Sequence, residues 1–121
     1  MYAKFLLIGA LLTSAGSAWA HDAKAKNGGR ITEAGAYHVE MVVKSDIVDV
    51  FISDESEKSV AASGFKGTAI LMAAGKSQRV VLTPVDGVRL SGSATAVLPN
   101  QPKGVVQLTG PDGKTIQAKF D

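Results

Sequence analysis

The sequence predicts an all-β domain, a small antiparallel barrel of six to seven strands or a compact sandwich. Three observations carry that expectation. From residue 28 onward, apolar and polar residues alternate in short runs, with no stripe at the 3.6-residue spacing of a helix. The runs recur at roughly 8–12-residue intervals with Gly, Pro and Asp turn chemistry between them. Gly64, Gly67, Gly92 and Gly104 fall within or beside the runs, where bulges and tight bends let a small sheet curl closed.

The first element is not part of that sheet. Lys4 precedes the apolar stretch Phe5-Leu6-Leu7-Ile8-Gly9-Ala10-Leu11-Leu12, and Ala18-Trp19-Ala20 supplies a small-x-small cleavage pattern. Residues 1–20 therefore read as a secretory signal peptide cleaved after Ala20, since the stretch is far short of the roughly 20 apolar residues of a spanning helix. Export leaves His21 as the new N-terminus, and in a Gram-negative host the product is periplasmic, with no membrane insertion after cleavage. Residues 21–27 are polar and aperiodic, and read as a flexible lead-in to a single domain over residues 28–121.

In residues 37–44, Tyr37, Val39, Met41 and Val43 share one strand face, with His38, Glu40, Val42 and Lys44 on the other. Ser45-Asp46 turns the chain into a β-branched strand over 47–53, and the acidic, serine-rich stretch 54–63 is a loop. Residues 65–73 form a strand, Ala74-Gly75-Lys76-Ser77 a turn, and 78–83 its partner. Pro84-Val85-Asp86-Gly87 is a strong turn signal, because Asp-Gly readily supplies positive φ. A strand over 89–97, a proline-bearing loop over 98–102, and a hairpin of 103–109 and 114–120 about Gly110-Pro111-Asp112-Gly113 complete the chain. The expected core is Tyr37, Val39, Met41, Val50, Ile52, Leu71, Leu82, Leu90, Val106, Leu108, Ile116 and Phe120.

Composition narrows the functional classes. Removing the signal leaves about a hundred residues, enough for one small core. There is no cysteine, so packing and strand pairing must supply the stability, and disulfides and thiolate metal sites are excluded. The formal charge of +2 includes Lys4, and no Lys/Arg run interleaved with aromatics occurs, which argues against nucleic acid as a partner. Enzyme signatures are absent: there is no Gly-x-Ser-x-Gly elbow, phosphate-binding glycine loop or His-Glu-x-x-His helix. Only two histidines are present, and neither has the spacing of a catalytic base and nucleophile. The expectation is a non-enzymatic protein.

Metal chemistry has a few candidates. His38 and Glu40, at i and i+2, project from one strand face with Cβ atoms roughly 7 Å apart, a spacing a metal can bridge. With no third ligand evident, the competing reading is a wet polar face. An N-terminal His21 offers an amine and a ring nitrogen, a chelate suited to Cu(II). The stretch Asp54-Glu55-Ser56-Glu57 matches a calcium loop only in charge and reads as solvated. Met41 and Met72 sit in apolar strand surroundings and read as packing residues.

Gly28-Gly29-Arg30 and Ala34-Gly35-Ala36-Tyr37-His38-Val39-Glu40-Met41-Val42 resemble the opening of a small periplasmic domain attached to the adaptor (membrane fusion) subunits of heavy-metal RND efflux pumps. Val50-Phe51-Ile52-Ser53-Asp54, Gly64-Phe65-Lys66-Gly67-Thr68-Ala69, Val81-Leu82-Thr83-Pro84 and Gln117-Ala118-Lys119-Phe120 continue the resemblance in order. The resemblance implies an OB-like β-barrel linked to copper or other heavy-metal efflux. It carries over His38, Glu40 and Asp54 as ligands, with His21 a mobile addition. Asn27 and Glu55 stand where members of that family often have histidine. The resulting expectation is a periplasmic accessory protein that binds or transfers Cu(II) or Zn(II) beside an RND adaptor. The alternative is a metal-free barrel that docks an envelope or efflux-system protein.

Overall fold

A computed structural model describes residues 24–121. The chain forms eight strands, all paired antiparallel: β1 (Arg30–Ala34), β2 (Tyr37–Lys44), β3 (Ile47–Ser53), β4 (Lys66–Ala73), β5 (Lys76–Pro84), β6 (Arg89–Ser93), β7 (Gly104–Thr109) and β8 (Thr115–Phe120). Their order is β1-β2-β3-β6-β5-β4-β7-β8, which curls into a nearly closed barrel. The all-β expectation holds, with eight strands where the sequence predicts six or seven.

The sheet turns its corner at β5. Residues 76–82 of β5 pair with β4, whereas Thr83 and Pro84 pair with Ser91 and Leu90 of β6. Gly92 makes this crossing feasible, because a Cβ there would lie 2.1 Å from the Val81 carbonyl oxygen. At the far ends of the sheet, Arg30 spans the seam between β1 and β8. Its guanidinium stands 5.7 Å from the centre of the Phe120 ring, donates to the Pro102 carbonyl at 3.1 Å, and also donates to the Asp121 carbonyl. The planar fork and the ring face satisfy one another as charge, donors and π-surface.

Inside, Val39, Met41, Val48, Val50, Ile52, Leu71, Val80, Leu82, Leu90, Val106 and Leu108 form the buried centre. Ten of the twelve residues expected in the core are buried there, and Tyr37 and Ile116 are half-buried against its edge. Tyr37 meets Phe65 edge-to-face with ring centres 5.9 Å apart, closing one end of the barrel.

Two differences from the expected elements have physical causes. The strand β1 carries no alternating apolar signal, because its core-side positions opposite Met41 and Val39 are Arg30 and Thr32, while Ile31 shares the outer face with the exposed Glu33. The strand expected over 89–97 ends at Ser93. Beyond it the Ala94 and Leu98 amides donate to the carbonyls of Asp46 and Ser45, so the chain leaves the sheet to close the β2–β3 turn.

The β5–β6 turn is fastened by Asp86, which accepts from the amides of Val88 and Arg89 and from Arg89 Nε at 2.8 Å. Arg89 also reaches Asp49 on β3 at 3.2 Å. The Val88 amide first, and then the Arg89 side chain, hold the Asp86 carboxyl below the ordinary carboxylate value. A lowered folded-state value stabilises the fold above the unfolded value, and the benefit is lost as pH falls through the folded one. Asp86→Asn should therefore be less stable than the parent at neutral pH, the gap closing below about pH 4. Urea unfolding at a series of pH values measures that convergence.

Val39 is fully buried between β1 and β3. Truncation to alanine removes two methyl groups and leaves a cavity, so Val39→Ala should cost about 1–3 kcal/mol in urea unfolding.

Candidate functional site

The outer wall of β1, β2 and β3 gathers the polar residues singled out in the sequence. His38 and Glu40 do point to the same side of β2, away from the core, but that side is not a wet polar face. Both are buried, at 5 % and 4 % exposure, because chain segments from either side cover them.

Glu40 is covered from the N-terminal side. Its Oε1 accepts from the amides of Lys26 (3.1 Å) and Asn27 (3.2 Å) and from Asn27 Nδ2 (3.0 Å), while Oε2 accepts from the amides of Asn27 and Gly29, each at 2.9 Å. These N–H donors occupy both carboxylate oxygens. Lys26 and Asn27, expected to belong to a flexible lead-in, are thereby strapped to the barrel together with Gly29. Lys26 Nζ extends the strap to the Glu57 carbonyl at 2.8 Å. Beneath the strap lies a cavity of about 260 Å³ walled by Ile31, Phe51, Ile52 and Val88, with Lys24 and Lys26 at its rim.

His38 is covered from the other side. Its Nδ1 lies 3.2 Å from the Asp54 backbone carbonyl, and its Nε2 lies 3.6 Å from Oε1 of Glu33. A carbonyl oxygen only accepts, so Nδ1 carries the proton and Nε2 is the nitrogen presented outward. It faces a cleft of about 280 Å³ lined by Glu33, Gly35, Ala36, Tyr37, His38 and Glu55. The hairpin register sets the pair, since Glu33 stands directly opposite His38 across the two-residue turn Gly35-Ala36.

The four residues expected to ligate a metal are thus dispersed. Glu40 serves the strap. The Asp54 carboxylate closes its own loop, accepting from the amides of Ser56 (2.9 Å) and Lys58 (3.0 Å), while its carbonyl orients His38. His21 and the signal peptide fall outside the described residues. Among the described residues, no group of three or more His, Cys, Asp or Glu side chains is close enough to hold a metal ion. His38 remains the one imidazole among the described residues, with Glu33 beside it and Glu55 lining the same cleft. Sequence reasoning missed Glu33, although Gly35-Ala36 between two short runs is a hairpin signal that would have put it across from His38.

What fold and site define together is an eight-stranded β-barrel with an imidazole–carboxylate cleft on its outer wall. No protein-family model, curated protein or solved structure matches the chain.

Exchanging Glu40 for glutamine keeps the shape but turns an amide NH₂ toward N–H donors. Glu40→Gln should lose about 1–3 kcal/mol, the range for charged hydrogen bonds left unmade. Urea unfolding measures the loss. Trypsin cleavage after Lys26 should quicken in parallel as the strap is released.

Proposed function

We propose that the protein is a secreted, non-enzymatic accessory barrel that binds a divalent transition metal, Cu(II) or Zn(II), with modest affinity at His38 and passes it on within the periplasm. The observation that supports this most directly is the orientation of the His38 ring. Hydrogen bonding of Nδ1 to a backbone carbonyl is the arrangement that fixes the tautomer of a metal-ligating histidine and strengthens the other nitrogen as a donor. That other nitrogen faces the Glu33 carboxylate, and two lone-pair acceptors facing each other call for a cation or a proton between them. Imidazole and carboxylate suit Cu(II) and Zn(II).

With one imidazole and one or two carboxylates the cleft favours exchange over storage, as a transfer protein requires. The strap suggests how the site is completed. Lys26 is tied to Glu40, and the chain from residue 21 to residue 25 extends up to roughly 17 Å. His38 lies only about 7 Å further along β2 from Glu40. The amine and ring nitrogen of His21 are then within reach of His38 once the signal is removed. The resemblance to domains of heavy-metal RND adaptors makes such an adaptor, or another envelope protein of an efflux system, the expected recipient.

Calorimetric titration of the mature chain with Cu(II) and Zn(II) tests the reading. His38→Ala should weaken binding at least tenfold and Glu33→Gln by a smaller factor. Binding should also fall on acidification, because a proton competes for Nε2. A parent protein that binds neither ion, or a His38→Ala variant that binds as the parent does, overturns the reading. Loss of Cu(II) binding only when His21 is removed would move the site to the N-terminal chelate.

A further inference from the structure

We propose that the outer wall of β4, β5, β7 and β8, on the other half of the barrel, docks the acidic surface of a partner protein around a small apolar centre. The inference is independent of metal binding at His38.

It rests first on how charge is divided between the two halves. The strands β4, β5, β7 and β8 contain Lys66, Lys76, Arg79 and Lys119 and not one carboxylate. Every carboxylate within a strand lies on β1, β2 or β3, as Glu33, Glu40 and Asp49. Lys66, Arg79 and Lys119 stand on the outward face, whereas Lys76 shares the face of Val80 and Leu82. The ion pairs among the described residues join His38 to Glu33, and Arg89 to Asp49 and Asp86, so those three cations are uncompensated.

The second observation is what lies between those cations. Register aligns Arg79, Ile70, Val105 and Lys119 in one row across the four strands, an apolar pair bracketed by two cations. Strands are spaced about 4.8 Å apart, so the row spans some 15 Å. Val81 extends the apolar centre diagonally on one side, and Met72 extends it along β4. Ile70, Met72 and Val81 are 38, 43 and 63 % exposed. Such positions are the ones a strand with one solvated face ordinarily fills with polar residues.

An apolar centre with a charged rim, including Arg and Met, is the make-up of a protein–protein interface. An anionic membrane fits less well. The outward face has no Trp, Tyr or Phe to seat in the headgroup region, since Phe120 is buried in the core, and three cations alone bind such a surface weakly. The cations would steer an acidic partner and fix its register, while Ile70 and Val81 lose water at the centre.

A photo-crosslinking residue placed at Val81 of the full chain, expressed in the envelope of its own host, tests the proposal. The expected result is a discrete adduct to one identified protein through an acidic peptide. That adduct should fall at least tenfold in Arg79→Glu/Lys119→Glu and recover when carboxylates of the cross-linked peptide are reversed to lysine. Both positions are exposed, and unchanged circular dichroism checks the fold; Arg79→Gln/Lys119→Gln, with a smaller loss expected, replaces the pair if it does not fold. Adducts only to phospholipid, adducts only to a second copy of this chain, an adduct indifferent to the charge reversals, or no discrete adduct would each overturn the proposal.

Discussion

The arrangement of the outer wall depends on β2 being buried on both of its faces. Its inner face meets the core at Val39 and Met41, as any barrel strand does. Its outer face carries Glu40, and an unpaired carboxylate under cover costs several kcal/mol. That cost is offset only because the amides of Lys26, Asn27 and Gly29 and the Asn27 side chain converge on it. The strap is therefore a condition for β2 to be covered at all. Once it is in place, Lys26 reaches on to the Glu57 carbonyl of the loop after β3. The same logic applies one residue pair along, where the Asp54 carbonyl receives the His38 ring and fixes which nitrogen looks outward.

The inner half of this design was legible in the sequence, and the outer half was not. Alternation in 37–44 and 47–53 identified β2 and β3 with their boundaries and named the residues that face the core. A two-residue period says which side chains share a face, but it says nothing about what later covers that face. The cover on Glu40 comes from a polar, aperiodic segment, and the cover on His38 comes from a loop 16 residues away. Neither has a local signature. Glu33 was lost for a related reason: β1 is short and half-wet, so its pairing with β2 rested on one Gly-Ala turn. The resemblance to efflux-adaptor domains singled out His38, Glu40 and Asp54, and of these Glu40 and Asp54 spend their carboxylates on backbone amides.

A chain of this size without cysteine must obtain its rigidity from closure, and closure is achieved with few special residues. Gly92 lets β6 cross against the Val81 carbonyl, and Gly104 lets β7 start against the Ile70 carbonyl, where a Cβ would lie 2.0 Å away. Both glycines matter here for the space they leave, because each sits where two backbones touch. Arg30 then bridges the seam that hydrogen-bonded ladders leave between β1 and β8, using a charge, two carbonyls and one ring. The sheet is thus closed by ladders along most of its circumference and by one side chain at the join.

Closure also keeps the two walls apart, and that separation bears on how the proposed activities would combine. In the proposed division of labour, the Glu33 and Glu55 carboxylates lining the His38 cleft would draw a divalent cation, whereas Lys66, Arg79 and Lys119 on the outward face of β4, β5 and β8 would repel one. A partner seated on the cationic wall would leave the cleft of Glu33, His38 and Glu55 open to solvent, because the hydrophobic core lies between the two. Docking and metal exchange would then not compete for the same surface. Transfer to such a partner would have to proceed from the opposite wall, by way of a segment that reaches around or a second site on the recipient. A barrel that held its partner and its metal on one face could trap the ion at the interface; dividing them over two faces keeps the cleft accessible for loading and release.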